Sequence, residues 1–410
     1  MISGRAFQPP RLGPGAIYLA ALDRLFRSNA DMVRVVEIEP QTLWTKGTAP
    51  GAEPHGNPFE LQALTTLPQH TLTHGIGYPI GGTICDQERH VDEFRQWTEQ
   101  LGSPWTSEHL SILHVAGADG PQPCGFLMPP AQTDAQVALA AENIRQRRAV
   151  IGWPLSFETG ANYFAPRPGE IHDGDFFAEV AESADCGILL DLNNLWVNAK
   201  NGRATIEDVL ARLPLQRVWE VHLAAAEFAH GHWLDAHVGG IDPELAAIAA
   251  DVVAALPSLG AIIFEIAADR VGQLGASGFL HAMETLHRLW DRTRSVPAAT
   301  ATNPTFISGV AVAEPAPETW ERLIADRMLP SSHRPFMRGD QLTKSDDDSF
   351  ELYAKLAKEF RFGAIADLLR NSMRLLLIAL GETAVRELLE DYTAIAPPSA
   401  FPSDEALNFR

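Results

Sequence analysis

Only three cysteines, Cys85, Cys124 and Cys186, occur in the 410 residues, with no CxxC spacing among them. An odd, scattered set of thiols excludes a disulfide framework and a thiolate zinc site, and reads as reduced bystanders. Long apolar runs are missing as well. None approaches the ~18 residues of a membrane span, and the opening "MISGRAFQPPRLGPG" carries no signal-peptide core. The sequence therefore reads as a soluble globular protein, with a cytoplasmic location by default. Positive charge is scarce: 32 Lys and Arg face 52 Asp and Glu, a formal net charge of -20. No basic footprint for nucleic acid stands out, and such a field suits a basic peptide or a metal cation better. No GxGxxG turn follows a strand in the first half, and "GYPIGG" from Gly77 lacks P-loop spacing. The two commonest nucleotide sites of open α/β sheets therefore have no support.

What is present is alternation. Short apolar runs read as strands at "RLGPGA", "VRVVEIEP", "HTLTHGIG", "WTSEHLSI", "PLSFETG", "GILLDLNN", "VWEVHLAA" and "AIIFEIA". Helical patterns lie between them, among them "VDEFRQWTEQLG", "AQVALAAENIRQRRAV", "DFFAEVAESA", "IEDVLARL" and "PELAAIAADVVAAL". Eight strands alternating with helices predict an α/β fold, a (β/α)8 barrel of the TIM type, with a doubly wound sheet as the rival. Past "HRLWDRTRS" the composition turns to Pro, Ala and Thr. The expected division is a barrel domain at 1–294, a linker at 295–318 and a smaller, mostly helical domain at 319–410.

Side chains alternate across a strand. In "LLDLNN", Leu189, Asp191 and Asn193 share one face, while Ile188, Leu190 and Leu192 form an all-apolar face for the helices. Asp191 and Asn193 are then expected inside the barrel near the C-terminal strand ends, where barrel enzymes build their sites. The same count sends Glu158, His222 and Glu265 inward, His74 leads into a glycine turn, and His109 shares a face with Ser107 and Ser111. Asp235 and His237 in "LDAH" are spaced to reach one ion.

One such residue is commonly a core histidine or a helix cap. Glu158, Asp191, Asp235 and Glu265 together are different, because four carboxylates in one cavity are costly to desolvate without a cation. These four are also the candidate catalytic groups. Imidazole mixed with carboxylate and amide oxygen suits iron, manganese or zinc. The set His74, His109, Glu158, Asp191, Asn193, His222, Asp235, His237 and Glu265 has enough donors for two or three ions with positions left open. Glu37, Glu39 and Glu220 are expected to orient ligand histidines or bind peptide, with ordinary ion pairing as the other reading, and Asn162, Tyr163, Asn194 and Asp269 are similar candidates. His230 and His232, in a glycine-containing loop, read as solvent-exposed.

The stretches "THGIGYPIGG", "TSEHLSIL", "FETGANYF", "LLDLNNLWVNAKNG", "VWEVHLA", "LDAH" and "FEIAADR", in this order, resemble the multinuclear non-heme iron-dependent oxidative enzymes, which include the iron subunit of methanobactin biosynthesis. The resemblance covers most of residues 10 to 290 and implies that the nine donors above fall on metal-binding positions. "HLAAAE", "FETG" and "EIAAD" depart from the family's usual surroundings, which bears on substrate rather than metals. A further stretch, "LRNSMRLLLIALGETAVRELLEDYTAIAPPS", looks like the helical end of the separate partner proteins that help present the precursor peptide, here fused. An unrelated helical bundle packing on the barrel is the other reading.

What the resemblance implies is a mixed-valent Fe(II)/Fe(III) centre of two or three ions, with O2 as co-substrate. The substrate would be a side chain, cysteine first, of a ribosomally synthesised precursor peptide. A further partner protein stays open. The alternatives are a zinc- or manganese-dependent TIM-barrel isomerase or phosphoesterase, and a non-catalytic binding module.

Overall fold

The computed structural model describes residues 7–46, 54–85, 88–293, 315–334 and 344–409. Each of the eight apolar runs forms a strand: β1 Gly13–Ile17, β2 Val35–Ile38, β3 His70–Gly75, β4 Thr106–His109, β5 Leu155–Glu158, β6 Gly187–Asp191, β7 Val218–Leu223 and β8 Ala261–Phe264. They pair in parallel with their neighbours in sequence, and β1 meets β8 to close a barrel. Closure leaves no edge strand, so every strand is buried on both faces.

The outward faces carry the apolar residues that the helices cover. Ile188, Leu190, Val221, Leu223, Ile262 and Phe264 join the main core with residues of the surrounding helices. At the N-terminal end the interior is closed by a separate plug of Val35, Leu72, Trp105, Trp219, Ala261 and Ile263, against which Phe7 and Leu12 pack. Trp219 enters this plug through a slip in register: Ile188 pairs with Val218, but Leu189 pairs with Glu220. The extra residue of a bulge can turn its side chain where a regular strand would not send it. Gly187 accommodates the indole, since a Cβ there would lie 2.3 Å from Trp219 ring atoms.

Among the covering helices are Glu88–Leu101, Asp134–Ile151, Asp173–Ala184, Pro243–Ala254 and Val271–Arg292. The helix Leu192–Lys200 corrects the reading of "LLDLNN". Asp191 ends β6 as an N-cap, its Oδ1 accepting the Asn194 N–H at 2.7 Å, and the chain turns helical at once. Asn193 therefore sits in the first turn of a helix and not on the face of a strand. Three antiparallel strand pairs also break the simple repeat, Trp44–Lys46 with Pro54–Gly56, Ile112–Gly117 with Gly120–Met128 and Ala226–Ala229 with His232–Asp235. All three follow barrel strands and so rise from the C-terminal face.

The C-terminal region is helical: Pro317–Met328, Lys344–Leu368, Arg370–Ile395 and Pro402–Phe409. Most of the expected linker, residues 295–314, lies outside the described residues, and the first helix begins within its last part. Trp320, Phe350 and Tyr353 pack around Phe164 and share the barrel's main core. Polar contacts fix the seam: the Tyr163 N–H donates to the Tyr353 hydroxyl at 3.1 Å, and Trp320 Nε1 donates to the Pro129 carbonyl at 2.9 Å. Beyond it, Ile365, Met373, Val385 and Leu389 form a small core of their own. Among the described residues, no helix is long and apolar enough to cross a membrane. The three cysteines are buried, and burial pushes the Cys124 and Cys186 thiols up to about 12, which leaves them inert.

Candidate metal centre

Three neighbouring strands deliver the first group of donors. His74 near the end of β3 and His109 at the end of β4 point their Nε2 atoms at the same oxygen of Glu158 on β5, at 3.1 and 3.2 Å. The opposite nitrogens are occupied: His109 Nδ1 lies 3.0 Å from the Gly75 carbonyl and His74 Nδ1 lies 2.8 Å from Ser107 Oγ. A carbonyl can only accept, so a neutral His109 carries its proton on Nδ1 and turns the Nε2 lone pair toward the carboxylate. Two acceptors then face each other, and either a proton on Nε2 or a metal ion between them satisfies both.

Glu158 leads to the next group. Its carboxylate, Asp191 and His222 offer ligand atoms within 4.8 Å of one another, as do His74, His109 and Glu158. The Asn194 amide donates to Glu158 Oε1 at 3.3 Å while its backbone N–H holds Asp191, so the helix cap also sets two carboxylates in place. His222 Nδ1 lies 3.3 Å from Glu265 Oε1, and the other Glu265 oxygen lies 3.6 Å from His237 Nε2.

The third group comes from the hairpin after β7. Asp235 Oδ1 lies 2.9 Å from His237 Nε2 and accepts from Asn193 Nδ2 at 2.6 Å. His237 adopts φ 51, uncommon for a residue with a Cβ. The Ala267 N–H to the His237 carbonyl, at 3.0 Å, and the Asp235 N–H to the Tyr163 hydroxyl, also at 3.0 Å, hold that turn. All nine predicted donors thus form one continuous belt across the C-terminal end of the barrel, with Glu158 and Glu265 each lying between two groups.

The electrostatics follow from the crowding. Burial opposes charge on His109, yet Glu158 and Glu108 overrule it and raise its pKa to about 10; at His237, Asp235 and Glu265 overrule burial to the same value. Against its own burial, Glu158 is correspondingly held down at about 2 by His109 and His74. Asp191 goes the other way, raised well above the usual carboxylate range by burial and by the negative charge of Asp235 and Glu158. Among the described residues Asp191 Oδ2 and Asn193 Oδ1 have no hydrogen-bond partner, while His237 Nε2 and both ring nitrogens of His222 face carboxylate oxygens alone. Buried polar atoms are rarely left so. Their donor chemistry, imidazole with carboxylate and amide oxygen, fits iron, manganese or zinc.

Behind the belt, Glu37 and Glu220 are fully buried. Glu37 Oε1 lies 3.0 Å from His222 Nε2, and Glu220 accepts from Trp105 Nε1 at 3.0 Å. Burial and Glu37 raise the Glu220 carboxyl well above its ordinary value, against the pull of His222 and the Trp105 N–H. Of the other expected neighbours, Asn194 and Tyr163 touch the belt as described, and Glu39 and Asn162 line the cavity above it. Asp269 does not. It is exposed beside Arg270, at 3.3 Å. His232 is partly exposed, and the exposed His230 lies beside Lys355 and Glu359, away from the belt.

The cavity has a volume of about 550 Å³. Its floor is the belt, and its walls include Leu110, Phe126 and Leu127 from the hairpin side and Phe360, Leu368 and Phe401 from the C-terminal region. Among the described residues, no lysine or arginine lines it. The C-terminal wall was not foreseen from the sequence. Phe401 meets the turn after β3, where a Cβ on Gly77 would lie 2.7 Å from its ring, and no local pattern announces a contact between residues so far apart.

A TIM barrel with a belt of carboxylates, imidazoles and an amide at its catalytic face defines a class, a barrel enzyme built to hold metal. The chain belongs to the family of RiPP precursor modification enzymes MbnB/TglH/ChrH, whose model matches residues 22–269. Related sequences are UPF0276 proteins. One from Anaeromyxobacter sp. is 30% identical over 201 residues, 49% of this chain and 70% of the relative. One from Chromobacterium violaceum is 28% identical over 210 residues, 51% of this chain and 75% of that protein. The match to a Streptomyces avermitilis protein, 25% identical over 57% of this chain, spans only 48% of the relative's length. Among solved structures, endonuclease IV from Thermus thermophilus matches 68% of this chain and 100% of its own at TM-score 0.44 and 12% identity. A xylose isomerase domain protein from Planctomyces limnophilus matches 70% of this chain and 100% of its own at TM-score 0.44 and 15% identity. Likeness at that level says nothing of chemistry.

Proposed function

We propose that the protein oxidises a side chain, cysteine first, of a ribosomally synthesised precursor peptide at a centre of two or three iron ions, with dioxygen as co-substrate. The observation that carries this reading is the belt itself: nine donors with unpartnered buried atoms, in a chain of a peptide-modifying family. His74, His109 and Glu158 would hold one ion; Glu158, Asp191, His222 and Glu265 a second; Asn193, Asp235, His237 and Glu265 a third. When bound, iron supplies one-electron chemistry and a place for dioxygen. Ions of charge two or three against four carboxylates leave net positive charge, which favours an anionic thiolate over a thiol.

The chain's own residues do the rest. Glu39 lines the cavity with a carboxyl raised to about 7 by burial, close to the pH at which a base takes a thiol proton. Leu110, Phe126, Leu127 and Phe401 keep water from the floor. Residues 319–410 form, on this reading, the peptide-presenting part of a fused partner, since Phe360, Leu368 and Phe401 complete the cavity wall. The expected location is the cytoplasm, where such a peptide is made.

The test is co-expression with a short cysteine-bearing peptide from a neighbouring reading frame, followed by mass spectrometry and metal analysis. Two or more irons per chain and a mass change that needs dioxygen are expected. Zinc or manganese alone, with no dioxygen consumed, would move the assignment to an isomerase or phosphoesterase. An unchanged peptide mass with iron fully loaded and reductant present would leave a binding module.

A further inference from the structure

The helix Lys344–Leu368 holds the chain segment that follows Glu158. Residues 161–164 belong to no helix or strand, so their backbone groups depend on side chains for partners. Both backbone groups of Tyr163 are taken by this helix: the N–H donates to the Tyr353 hydroxyl at 3.1 Å, and the carbonyl accepts from Ser349 Oγ at 3.0 Å. Ser349 and Tyr353 stand four residues apart and share one face of the helix. The two tyrosine rings are buried against each other, with centroids 5.2 Å apart.

Tyr163 in turn reaches the hairpin that carries the third donor group. This hairpin is a two-stranded sheet, so the outer edge of His232–Asp235 needs partners other than a strand. Asn201 takes both backbone groups of Trp233, at 2.9 and 2.8 Å, and the Tyr163 hydroxyl accepts the Asp235 N–H at 3.0 Å. The first anchor belongs to the barrel, and the second hangs on the C-terminal helix. That helix also meets the hairpin tip, where Lys355 Nζ lies 2.7 Å from His230 Nδ1 and a Glu359 oxygen lies 3.5 Å from His230 Nε2.

We infer that Tyr163, held by Ser349 and Tyr353, is a positioning residue for the third donor group, and that the C-terminal helix thereby sets how tightly Asn193, Asp235 and His237 hold an ion. This rests on the reading of the belt as a metal centre. The donor groups differ in what fixes them. His74, His109, Glu158, Asp191 and His222 stand on barrel strands, whose ladders hold their backbones, and Glu265 follows β8 directly. Asp235 and His237 lie outside the barrel, on and just after a strand of four residues. Asp235 Oδ1 accepts from Asn193 Nδ2 and faces His237 Nε2, so a shift of the Asp235 backbone disturbs all three donors at once. Groups that orient a ligand set its affinity for metal nearly as much as the ligand itself. The C-terminal region is then part of the metal centre, in addition to forming a wall of the cavity.

Titration of the metal-free full chain with iron(II), without dioxygen, tests this together with hydrogen exchange. The wild type is expected to take up three ions, the last the weakest. Tyr163→Phe keeps the ring and removes the acceptor of the Asp235 N–H; Tyr353→Phe does the same for the Tyr163 N–H. Each should weaken the last ion by about ten- to hundredfold and leave the first two unchanged. A merely structural role would weaken all three together. In the metal-free chain, Tyr163→Phe should speed backbone exchange across residues 226–238 by about tenfold, the worth of one hydrogen bond, with exchange in the barrel strands unchanged. A wild type that stops at two ions, variants that keep the last ion at wild-type affinity, or variants that lose all ions in step would each overturn the inference and leave the metal centre standing. A wild type that takes up no more than one ion would overturn the metal centre itself. Faster exchange at 226–238 would then keep Tyr163 as the anchor of the hairpin, and unchanged exchange would overturn that as well.

Discussion

The two ends of the barrel are made by the same eight strands and are opposites in chemistry. At the N-terminal end, Trp105, Trp219, Val35 and Leu72 close the interior with apolar surface. At the C-terminal end, a few residues further along the same strands, the interior is carboxylate and imidazole with unpartnered atoms. Burial favours the first end and opposes the second. The difference teaches where stability and chemistry are separated. The plug holds the barrel closed, and this lets the other end keep a set of charges that would not hold a fold together by itself. Glu37 and Glu220 mark the frontier: both are fully buried and adjoin His222, and Glu220 also accepts from the plug residue Trp105.

If the two ends are separable, changes at each should move different measurements. The largest effect is expected at Glu158, which lies between two donor groups. Glu158→Ala should lose at least one metal ion per chain and all measurable turnover, with the fold retained by circular dichroism. Full metal content in this variant would remove Glu158 from the centre. At the other end, Trp219→Ala should cost about 3–5 kcal/mol in denaturant unfolding. The metal content of the folded fraction should not change, and a loss of metal in step with stability would show that the ends are coupled.

Protons sharpen the comparison, because only the C-terminal end titrates. In the metal-free chain His109 and His237 have pKa values raised from 6.5 to about 10. Their contribution to stability is complete below about 6.5 and is lost as pH rises through 10. Glu158, lowered from 4.5 to about 2, contributes above 4.5 and loses that contribution as pH falls through 2. The metal-free protein should therefore melt highest between about pH 4.5 and 6.5 and lose stability toward alkaline pH. Metal binding needs neutral imidazoles, so uptake should tighten between pH 6.5 and 10 and release protons. A melting temperature that is flat from pH 6.5 to 10 in the presence of chelator would contradict the charged state of these histidines.

The same contrast shows what a sequence can carry. Strands buried on both faces leave short apolar runs between glycine and proline punctuation, and all eight were legible for that reason. Alternation then sent Glu158, Asp191 and His222 inward, because their neighbours Phe157, Leu190 and Val221 are apolar and face the helices. Alternation failed at Asn193, where Asp191 can either continue a strand or cap a helix, and the backbone took the cap. Asn193 still meets Asp235, though by a helical turn. The hairpin that carries Asp235 leaves no strand signal in the sequence, since four residues per arm give little period to count. Contacts between barrel and C-terminal helices, such as Tyr163 with Tyr353, left no mark, because sequence period reports a residue's own element and not its partner.

Phe401 gives the smallest expected effect and the finest test of the comparison. It lies at the rim of the charged end yet is apolar, and it comes from the C-terminal region rather than from the barrel. It touches none of the nine donors by hydrogen bond or ion pair, so Phe401→Ala should leave metal content and the pH profile unchanged. Its ring packs against the turn at Gly77 and Tyr78, with ring centroids 6.3 Å apart in the latter pair. Loss of that wall should weaken the hold on an apolar portion of the peptide, raising KM by about tenfold for about 1.4 kcal/mol of lost contact. The turnover number should change little, because uniform binding lost from a remote wall affects ground state and transition state alike. A fall in kcat with KM unchanged would instead mean that the rim positions the reacting group, and the boundary between the charged floor and the apolar wall would then lie further out than Phe401.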